Sequence, residues 1–527
     1  MTIDNLPFTI DNSTFWQEKK LSIVNYSLRM KFAQNGCFDV LIIGAGVVGC
    51  ALARELSKYR LSVAVLEKEP DVGWGTSSRN SGVVHAGFNN KSGTLMARLC
   101  VEGNQSFETL CRQLDVPYKK QGKLVVARNH EDIQTLHSLK QQGERNGVRN
   151  LEMIDAHDLH RLEPNIRGIA ALYSQETAVT SPYLLTIALA ENALRNGVSF
   201  FLNTEVQQIA RQRTHAPFDV HANTGVFSAT YLINSAGLYA DKIAEMAGIT
   251  GYRIYPCRGE YYILDKHAGS LISRPVYPAP VKGSGGLGVH FTTTVEGVIL
   301  IGPSAEYIPE RDDLATTRKI MDLLFEEARD FLPLVSPQYF IRSYSGLRAK
   351  QAPPSEGGFR DYVIEESRSV PNFINLIGIE SPGLTASEPI AKMVTAMIDA
   401  KEQLSSNPDF IPTRKGILRF AEQDEAVKRT LIEQHPDYGE ILCRCEQVTR
   451  HEVMEALKNP LGAKSLNSIK YRTRAMMGRC QGSFCMMRII DLLMQETGMR
   501  PEDIRLGRPG SYLFPGYLGK VSGVSEK

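Results

Sequence analysis

Four cysteines near the end of the chain have the spacing of a metal or iron–sulfur site. Cys443 and Cys445 form a C-x-C pair, and after 34 further residues Cys480 and Cys485 form a C-x4-C pair. Four thiolates can hold either a [2Fe–2S] cluster or a tetrahedral zinc ion. The spacing alone therefore predicts a cysteine-ligated inorganic centre and leaves its chemistry open.

A second candidate for chemistry is the small-residue segment NSGVVHAGFNN, residues 80–90, which contains His85. An imidazole titrates near neutral pH and can take a proton from an alcohol. Gly82 and Gly87 on either side would let the loop come close to a flat ligand. From the residues alone, a histidine that only braces a loop is an equally good interpretation of His85.

The elements that would position these groups begin with a nucleotide-binding pattern in residues 38–69. An apolar strand is followed by Gly44, Gly46 and Gly49 in a G-x-G-x-x-G turn, then by a helix and a second strand ending at Glu67. The glycines allow a tight turn and close approach of a pyrophosphate, and the acid accepts ribose hydroxyls. Because strand, helix and acid all agree, a turn that binds nothing is disfavoured, and the acid argues against NADP.

Later segments predict the rest of the architecture. Two strand-and-turn segments, at 231–241 and 372–398, fit the same sheet as the glycine turn. Segments of alternating β-formers predict a second, largely antiparallel domain inserted into the first, with the chain passing between the two more than once. These segments are residues 122–128, 260–265 and 297–307.

Six motifs occur in order along this region: NSGVVHAGFNN, GTLMARLCVEGN, INSAGLYAD, RGEYYILD, SYSGLRAK and GIESPGLTAS. Together they resemble the flavoprotein family of glycerol-3-phosphate dehydrogenases and oxidases and L-2-hydroxyglutarate dehydrogenases, over about residues 37–400. The resemblance implies FAD, a glutathione-reductase-like nucleotide domain, and a substrate domain that caps the flavin.

The resemblance also implies roles for residues around the substrate. Ser81 lies in the segment that passes the flavin, and His85 faces the substrate as the base while hydride goes to flavin N5. Arg348 grips the anionic group of the substrate through paired donors; a surface arginine in a salt bridge is the alternative. Arg258 is a weaker second candidate, and His290 lies either in the substrate cavity or simply packs in a strand.

Two further motifs are implied to contact FAD. In GIESPGLTAS, residues Gly378, Gly383 and Leu384 bring backbone N–H groups to the pyrimidine edge of the flavin, where they would stabilise its reduced, negative form. In INSAGLYAD, Gly237 permits close approach, and Asp241 lies near the ribityl or pyrophosphate part of the cofactor.

The cysteine segments LCRCEQVT and YRTRAMMGRCQGSFC resemble the ferredoxin-like domain of bacterioferritin-associated ferredoxins. The same domain is appended to the catalytic subunit of anaerobic glycerol-3-phosphate dehydrogenases. The resemblance implies a [2Fe–2S] cluster on the four cysteines, and a one-electron relay beside a flavin has a use that zinc lacks. Nearby basic residues would offset the cluster charge, form a docking face or simply be solvated: Lys470, Arg472, Arg474 and Arg479.

The predicted fold class is α/β plus α+β, with a small, mainly helical C-terminal domain. We predict five segments in the chain of 527 residues. They are an N-terminal extension (1–36), an FAD-dependent oxidoreductase region with interleaved subdomains (37–400), a linker (401–435), a [2Fe–2S]-binding domain (436–500) and a tail (501–527).

Composition limits the partners and the location. The net charge of +2 argues against a large nucleic-acid footprint. The longest apolar run, residues 40–53, is shorter than the roughly 20 residues of a membrane-spanning helix. The first 36 residues lack a signal-peptide pattern, and five scattered cysteines fit buried thiols in a reducing compartment. These features predict a cytoplasmic protein, with peripheral membrane contact allowed.

The sequence therefore predicts an FAD-dependent dehydrogenase that oxidises a small anionic secondary alcohol, first of all sn-glycerol 3-phosphate to dihydroxyacetone phosphate. Electrons would pass through the cluster to a quinone, a partner subunit or a redox carrier. L-2-Hydroxyglutarate is the alternative substrate, because RLCVEGN and GVHFTTT are similar to that branch. A non-catalytic electron-transfer protein and an amine or amino-acid oxidase are the remaining hypotheses.

Overall fold

The structure is a computed structural model that describes residues 37–280 and 288–514. The predicted N-terminal extension (1–36) and the last part of the predicted tail (515–527) lie outside these residues. The described strands, in chain order, are β1 (Cys37–Ile43), β2 (Val63–Leu66), β3 (Val83–Val84), β4 (Tyr118–Lys120), β5 (Lys123–Ala127), β6 (Leu151–Asp155), β7 (Ala170–Ser174), β8 (Ala178–Thr180), β9 (Ser199–Phe201), β10 (Val206–Arg211), β11 (Phe218–Ala222), β12 (Gly225–Asn234), β13 (Tyr255–Leu264), β14 (Val276–Pro278), β15 (His290–Thr293), β16 (Ile299–Gly302), β17 (Glu306–Tyr307), β18 (Phe340–Lys350), β19 (Val363–Glu366), β20 (Phe373–Ile377), β21 (Ile441–Cys443) and β22 (Val448–Thr449).

The α-helices follow the same order along the described chain. They are α1 (Val47–Leu56), α2 (Leu95–Leu114), α3 (His130–Arg145), α4 (Ala156–Leu162), α5 (Pro182–Arg195), α6 (Ala240–Met246), α7 (Arg318–Phe331), α8 (Gly383–Glu402), α9 (Glu425–Gln434), α10 (Arg450–Leu457), α11 (Leu466–Thr473) and α12 (Met486–Thr497).

The first sheet is built on a parallel core, β20-β12-β1-β2-β9. Antiparallel strands extend it: β11 pairs with β12, β10 pairs with β11, and β19 pairs with β20. Successive side chains of β1 face opposite sides, so Val40 and Ile42 pack against α1, α2, α5 and α8, while Leu41 packs toward β10–β12 and α6. The unbroken apolar run of β1 is explained by burial on both faces.

The second sheet has the order β17-β13-β16-β15-β14-β5-β7-β6, with β18 paired along β13. All of its pairs are antiparallel except β14 with β5. Its strands come from two stretches of chain, β5–β7 and β13–β18, separated by strands of the first sheet. The predicted fold class and the predicted repeated passage between two domains are therefore confirmed.

A smaller C-terminal unit contains β21, β22 and helices α10, α11 and α12 around its own apolar core. Between α8 and this unit, residues 403–416 run along the outside of the first domain. Asn192 Nδ2 donates to the carbonyl oxygens of Ile411 and Thr413, both at 3.1 Å, and Arg54 Nη2 donates to that of Pro412 at 3.0 Å. The chain thus reaches the C-terminal unit along a strap held by side chains of α1 and α5.

Candidate functional site

A cavity of about 1260 Å³ lies where residues of the two large sheets meet. This volume exceeds the roughly 300–1,000 Å³ of ordinary small-molecule pockets, and it suits an extended dinucleotide together with a substrate. The predicted site residues that line it are Gly44, Gly46, Glu67, Ser81, His85, Gly237, His290, Arg348, Gly383 and Leu384.

The glycine turn opens at the N-terminus of α1. Gly44 has φ +101°, and a Cβ there would meet the carbonyl oxygen of Ser235 at 2.6 Å. Gly49 does not line the cavity; a Cβ on it would overlap the carbonyl oxygen of Gly44. Gly49 therefore permits α1 to pack on the turn, while the first residues of α1 lie at the cavity wall, where a helix N-terminus favours phosphate.

Glu67 directly follows β2 and is 9% exposed. Its carboxylate accepts the N–H of Ala45 at 2.7 Å and the N–H of Glu69 at 2.9 Å. Burial raises the pKa of Glu67 to about 7. The two N–H donors favour the charged form and lower the pKa, but their effect is smaller than that of burial. Glu67 thus holds the glycine turn in shape and also reaches the cavity.

Two buried donors beside the turn have no hydrogen-bond acceptor in the described part of the chain. These are Trp74 Nε1 and Arg79 Nε, and both residues line the cavity. Unpaired buried donors are costly unless a ligand satisfies them, and the oxygens of a dinucleotide would do so. With the glycine turn, this donor set fits FAD; Trp74 was not among the predicted site residues.

His85 follows β3 and is held from two sides. Its backbone N–H donates to Thr385 Oγ1 at 3.0 Å, and its Nε2 lies 3.4 Å from Ser381 Oγ, beside the N-terminus of α8. Burial lowers the pKa of His85 to about 3, and the positive charges of Lys123 and His290 add to this effect. The imidazole is therefore neutral at pH 7, with one ring nitrogen unprotonated.

His290 and Lys123 lie behind His85, from the second sheet. His290 stacks on Tyr277 at 3.6 Å between ring centroids, and its Nδ1 donates to the carbonyl oxygen of Gly288 at 2.8 Å. Lys123 is 1% exposed, with Nζ 4.5 Å from the ring centroid of Phe88 and 4.3 Å from that of Tyr277. Burial lowers the pKa of Lys123 to about 7. Nothing in the segment GKLVVAR had marked this lysine as buried.

Arg348 lies on β18 with its guanidinium in the cavity wall. Nη1 and Nη2 both donate to the carbonyl oxygen of Ser304, at 3.2 Å each. Within residues 37–280 and 288–514 no carboxylate lies within ion-pair distance of Arg348. The charge is thus oriented by a neutral acceptor, an arrangement that suits an arginine awaiting an anion.

Arg258 has a different environment from the one the sequence suggested. It is 5% exposed, outside the cavity lining, and donates from Nη1 to Asp313 at 2.6 Å and from Nη2 to Glu306 at 2.7 Å. Because its donors bind these acids, Arg258 is not placed to bind a substrate in the cavity. It ties β13 to β17 and to the loop before α7.

Asp241 and Gly378 also lie outside the cavity lining. Asp241 accepts from Arg311 Nη2 at 2.8 Å and from the N–H of Ile254 at 3.0 Å, and Arg311 itself lines the cavity. Gly378 has φ +71°, and the side chain of Gln351 fills the place of its missing Cβ. Both residues therefore position the cavity wall from behind.

The four C-terminal cysteines come together as two pairs. The thiol of Cys485 hydrogen-bonds to Cys443 and lowers the pKa of Cys443 to about 6, and in the second pair the thiol of Cys445 donates to Cys480. Backbone N–H groups of Phe484 and Gly482 are directed at Cys480 and lower the pKa of its thiol. N–H donors of this kind stabilise thiolates.

This pairing bears on which inorganic centre fits. A [2Fe–2S] cluster has two irons, each of which takes two cysteines, whereas a single zinc ion needs all four ligands around one point. The observed pairs fit the cluster.

Buried polar contacts join the cysteine domain to the flavin side of the molecule. Arg472 Nη1 of α11 lies 2.5 Å from Asp71 Oδ2, and both side chains are almost completely buried. Tyr471 packs edge-on against Trp74 at 6.3 Å between ring centroids. After α12, Arg508 pairs with Glu69 at 2.8 Å and reaches the cavity wall. The cysteine domain therefore abuts the cavity at Trp74.

The parallel sheet, the glycine turn and the cavity shared with an antiparallel sheet define a dinucleotide-binding oxidoreductase of two interleaved domains. The family model described as "FAD dependent oxidoreductase" matches residues 39–397, and the chain belongs to this family. A second model, "BFD-like [2Fe-2S] binding domain", matches residues 441–495. The predicted cofactors, FAD and a [2Fe–2S] cluster, are thereby confirmed.

Three known proteins show how the similarity is distributed. The glycerol 3-phosphate dehydrogenase of Caloramator mitchellensis is 40% identical over 482 residues, 91% of this chain and 98% of that protein. The mitochondrial L-2-hydroxyglutarate dehydrogenase of Arabidopsis thaliana is 33% identical over 402 residues, 68% of this chain and 82% of that protein. The FAD-bound L-α-glycerophosphate oxidase structure from Mycoplasma pneumoniae has a TM-score of 0.67 and 28% identity, and covers 72% of this chain and 99% of its own.

Glycine oxidase from Geobacillus kaustophilus shares the fold of the flavin region. Its structure has a TM-score of 0.62 and 22% identity, and the comparison covers 72% of this chain and 99% of that one. In the part of the chain that the structure describes, the helices fall short of the length and apolarity that a bilayer crossing requires.

Proposed function

We propose that this chain is an FAD-dependent dehydrogenase of sn-glycerol 3-phosphate that forms dihydroxyacetone phosphate and passes electrons through its [2Fe–2S] cluster. The extent of similarity carries this proposal. The glycerol 3-phosphate relative matches 91% of the chain, far more than the flavin family match at residues 39–397, so the similarity extends into the cysteine domain. The L-2-hydroxyglutarate relatives match only 66–71% of it.

We assign the chemical roles in the cavity to the chain's own groups. Neutral His85 takes the hydroxyl proton at its unprotonated ring nitrogen, and at Nε2 the substrate hydroxyl would take the place of Ser381 Oγ, which lies 3.4 Å away. Arg348 binds the anionic group with the donors that Ser304 orients. FAD, when bound, accepts the hydride equivalent from the substrate carbon and releases electrons singly.

The cofactor contacts are proposals of the same kind. Gly44, Gly46 and the N-terminus of α1 would take the pyrophosphate, and Glu67 the ribose. Ser81, Gly237, Gly383 and Leu384 would lie along the flavin and ribityl chain. The four cysteines at 443, 445, 480 and 485 would hold the cluster, two to each iron. We retain the domain limits predicted from the sequence.

L-2-Hydroxyglutarate is the second candidate substrate. Several relatives that carry this name share about 30% identity with the flavin region, and His290, part of the motif that resembles that branch, does line the cavity. Both substrates are small anions with a secondary hydroxyl group, so Arg348 and His85 suit either.

An anaerobic absorbance titration tests the proposal. Added sn-glycerol 3-phosphate should bleach the flavin and then the cluster bands, with L-2-hydroxyglutarate and the sn-1 enantiomer as controls. Bleaching by L-2-hydroxyglutarate alone would replace glycerol 3-phosphate by the second candidate. Bleaching by neither would overturn the proposed activity.

The electron acceptor and the location complete the proposal. We propose that electrons leave to a separate acceptor, which is a quinone, a partner subunit or a redox carrier. We also propose a reducing compartment, the cytoplasm, because the five cysteines outside the proposed cluster site are free thiols.

A further inference from the structure

We propose that the surface around Cys445 and Cys480 binds an acidic one-electron carrier protein, which takes electrons from the cluster. We call this surface the exit patch and define it by Arg342, Arg444, Arg479, Phe484 and Met487. The inference rests on the proposed function for the source of the electrons, and it goes further by naming the kind of acceptor.

One of the two cysteine pairs is buried and the other reaches the surface. Cys443 and Cys485 are 1% and 0% exposed, whereas Cys445 is exposed and Cys480 is partly exposed. A cluster held by all four would present the sulfurs of Cys445 and Cys480 toward solvent. Electrons therefore have their shortest way out through this surface.

The centre of the exit patch is apolar and exposed. Phe484 is 40% exposed and Met487 is 53% exposed, both within seven residues of Cys480. The guanidinium of Arg444 lies 4.2 Å from the centroid of the Phe484 ring. Aromatic residues, methionine and arginine are the types enriched at protein–protein interfaces, so this centre suits a protein partner.

The rim of the exit patch is positively charged on its outer side. Arg444 forms no ion pair with the described residues, and Arg342 donates only to the amide oxygen of Gln481, at 3.2 Å. Arg479 is 63% exposed, and its acid partner, Asp265, is 5% exposed. The cation is thus the outward end of that pair.

Two more cations lie next to the exit patch. Lys266 is 45% exposed above Glu446, which is 4% exposed, so this pair also turns its positive end outward. Arg488 is balanced by the half-exposed Glu440 at 2.9 Å and adds no net charge. A face with outward cations and an apolar centre attracts a negatively charged partner and speeds its encounter at low salt.

The electron balance fits a one-electron carrier. Oxidation of one secondary alcohol releases two electrons and two protons, and the carrier accepts one electron at each encounter. Two encounters therefore return the chain to its oxidised state, while the protons leave through the cavity to water.

The test uses the full chain with FAD and cluster in place, reduced anaerobically with dithionite and then freed of excess reductant. Oxidised flavodoxin, an acidic one-electron carrier, serves as the probe, and its reduction is followed by stopped-flow absorbance. We expect a second-order rate constant that falls steeply with added salt. The double variant Arg444→Glu/Arg479→Glu should lower it at least tenfold at low salt.

Binding is measured separately by calorimetric titration of oxidised flavodoxin into the oxidised protein. The double variant should raise the dissociation constant by a similar factor. Arg318→Glu is the matched control, since Arg318 is 94% exposed on α7 and outside the exit patch; it should change neither value. Visible absorbance of the cluster should be the same in all three proteins, which shows that the fold around the cysteines is intact.

Equal rates and affinities for the double variant and the control would overturn the proposal, as would a rate independent of salt. The alternative outcome is that the protein binds vesicles of anionic phospholipid containing quinone, that the double variant loses this binding, and that flavodoxin does not bind. This result would assign the exit patch to a membrane and would also overturn the proposal. Because dithionite supplies the electrons, failure of glycerol 3-phosphate as a substrate would leave this result unaffected.

Discussion

At the scale of single residues, His85 is the group on which the proposed oxidation depends. Replacement by asparagine keeps a polar side chain but removes the proton acceptor. We expect kcat for glycerol 3-phosphate to fall by about 10²–10⁴-fold. Flavin content and flavin reduction by dithionite should not change, and the exposed His215→Asn serves as the control. A variant with normal turnover would exclude His85 as the base.

A second prediction concerns pH and His290, which is 4% exposed. Burial lowers its pKa to about 3, so below its ordinary value near 6.5 the unfolded chain takes up a proton that the folded chain does not. Stability should therefore be lost as pH falls from 6.5 toward 3, by about 1.4 kcal/mol per pH unit for this group.

Calorimetric unfolding in excess FAD at several pH values between 7 and 5 measures this dependence. His290→Gln should reduce the slope of the free energy of unfolding against pH by the amount that one titrating group contributes. His215→Gln, at an exposed position, should leave that slope unchanged. If stability depends on pH with the same slope in the two variants, His290 is not held in its neutral form in the folded protein.

Arg348 and Arg258 are predicted to separate binding from stability. Arg348→Lys keeps the charge but loses the paired donors, so KM for glycerol 3-phosphate should rise about 10–100-fold. Arg258→Met should lower the melting temperature, since it leaves Asp313 and Glu306 without their partner, and should leave KM near its normal value. The opposite result would return Arg258 to the substrate site.

The sequence predicts residues well where their motif is local. Gly44 and Glu67 belong to one strand-turn-helix-strand unit, and their neighbourhood follows from that unit alone. Arg258 could not be predicted, because its partners lie 48 and 55 residues further along the chain. Burial of Lys123 likewise follows only from the packing of Phe88 and Tyr277 around it.

At the scale of elements, the packing of α1 on the glycine turn decides whether the cofactor is retained. Gly49→Ala places a methyl group on the carbonyl oxygen of Gly44 and should push α1 away from β1. We expect FAD content of the purified protein to fall more than tenfold. Gly439→Ala is the control, since a Cβ there meets only Ile432 at 3.5 Å. Retained flavin in Gly49→Ala would contradict this account.

Strand and helix types were predictable from apolar runs and glycine turns, whereas pairing was not. The sequence indicates a strand that runs into a turn at 231–241, but not that β12 pairs with β11 through its first half and with β20 through its second. Nor does local pattern show that residues 403–416 lie along α1 and α5, because the bonds are made by side chains more than 200 residues away.

At the scale of the whole molecule, the ion pair of Arg472 and Asp71 joins the cluster domain to the flavin domain across 401 residues of sequence. Arg472→Met leaves a buried carboxylate without its partner, which should cost about 3–5 kcal/mol. The double variant Arg472→Met/Asp71→Leu should recover most of that loss. Thermal unfolding of both variants is the measurement, and equal melting temperatures of wild type and Arg472→Met would contradict the prediction.

The two large sheets share one chain that passes back and forth between them, while the cluster domain is reached once, along the strap at 403–416. The consequence concerns how the chain can be divided. No single cut in the described chain can separate the flavin half from the substrate half, so neither half is a continuous segment. Within the described residues, one cut at the strap would separate the cluster domain from the rest, and the similarity to two L-2-hydroxyglutarate dehydrogenases covers about two thirds of this chain.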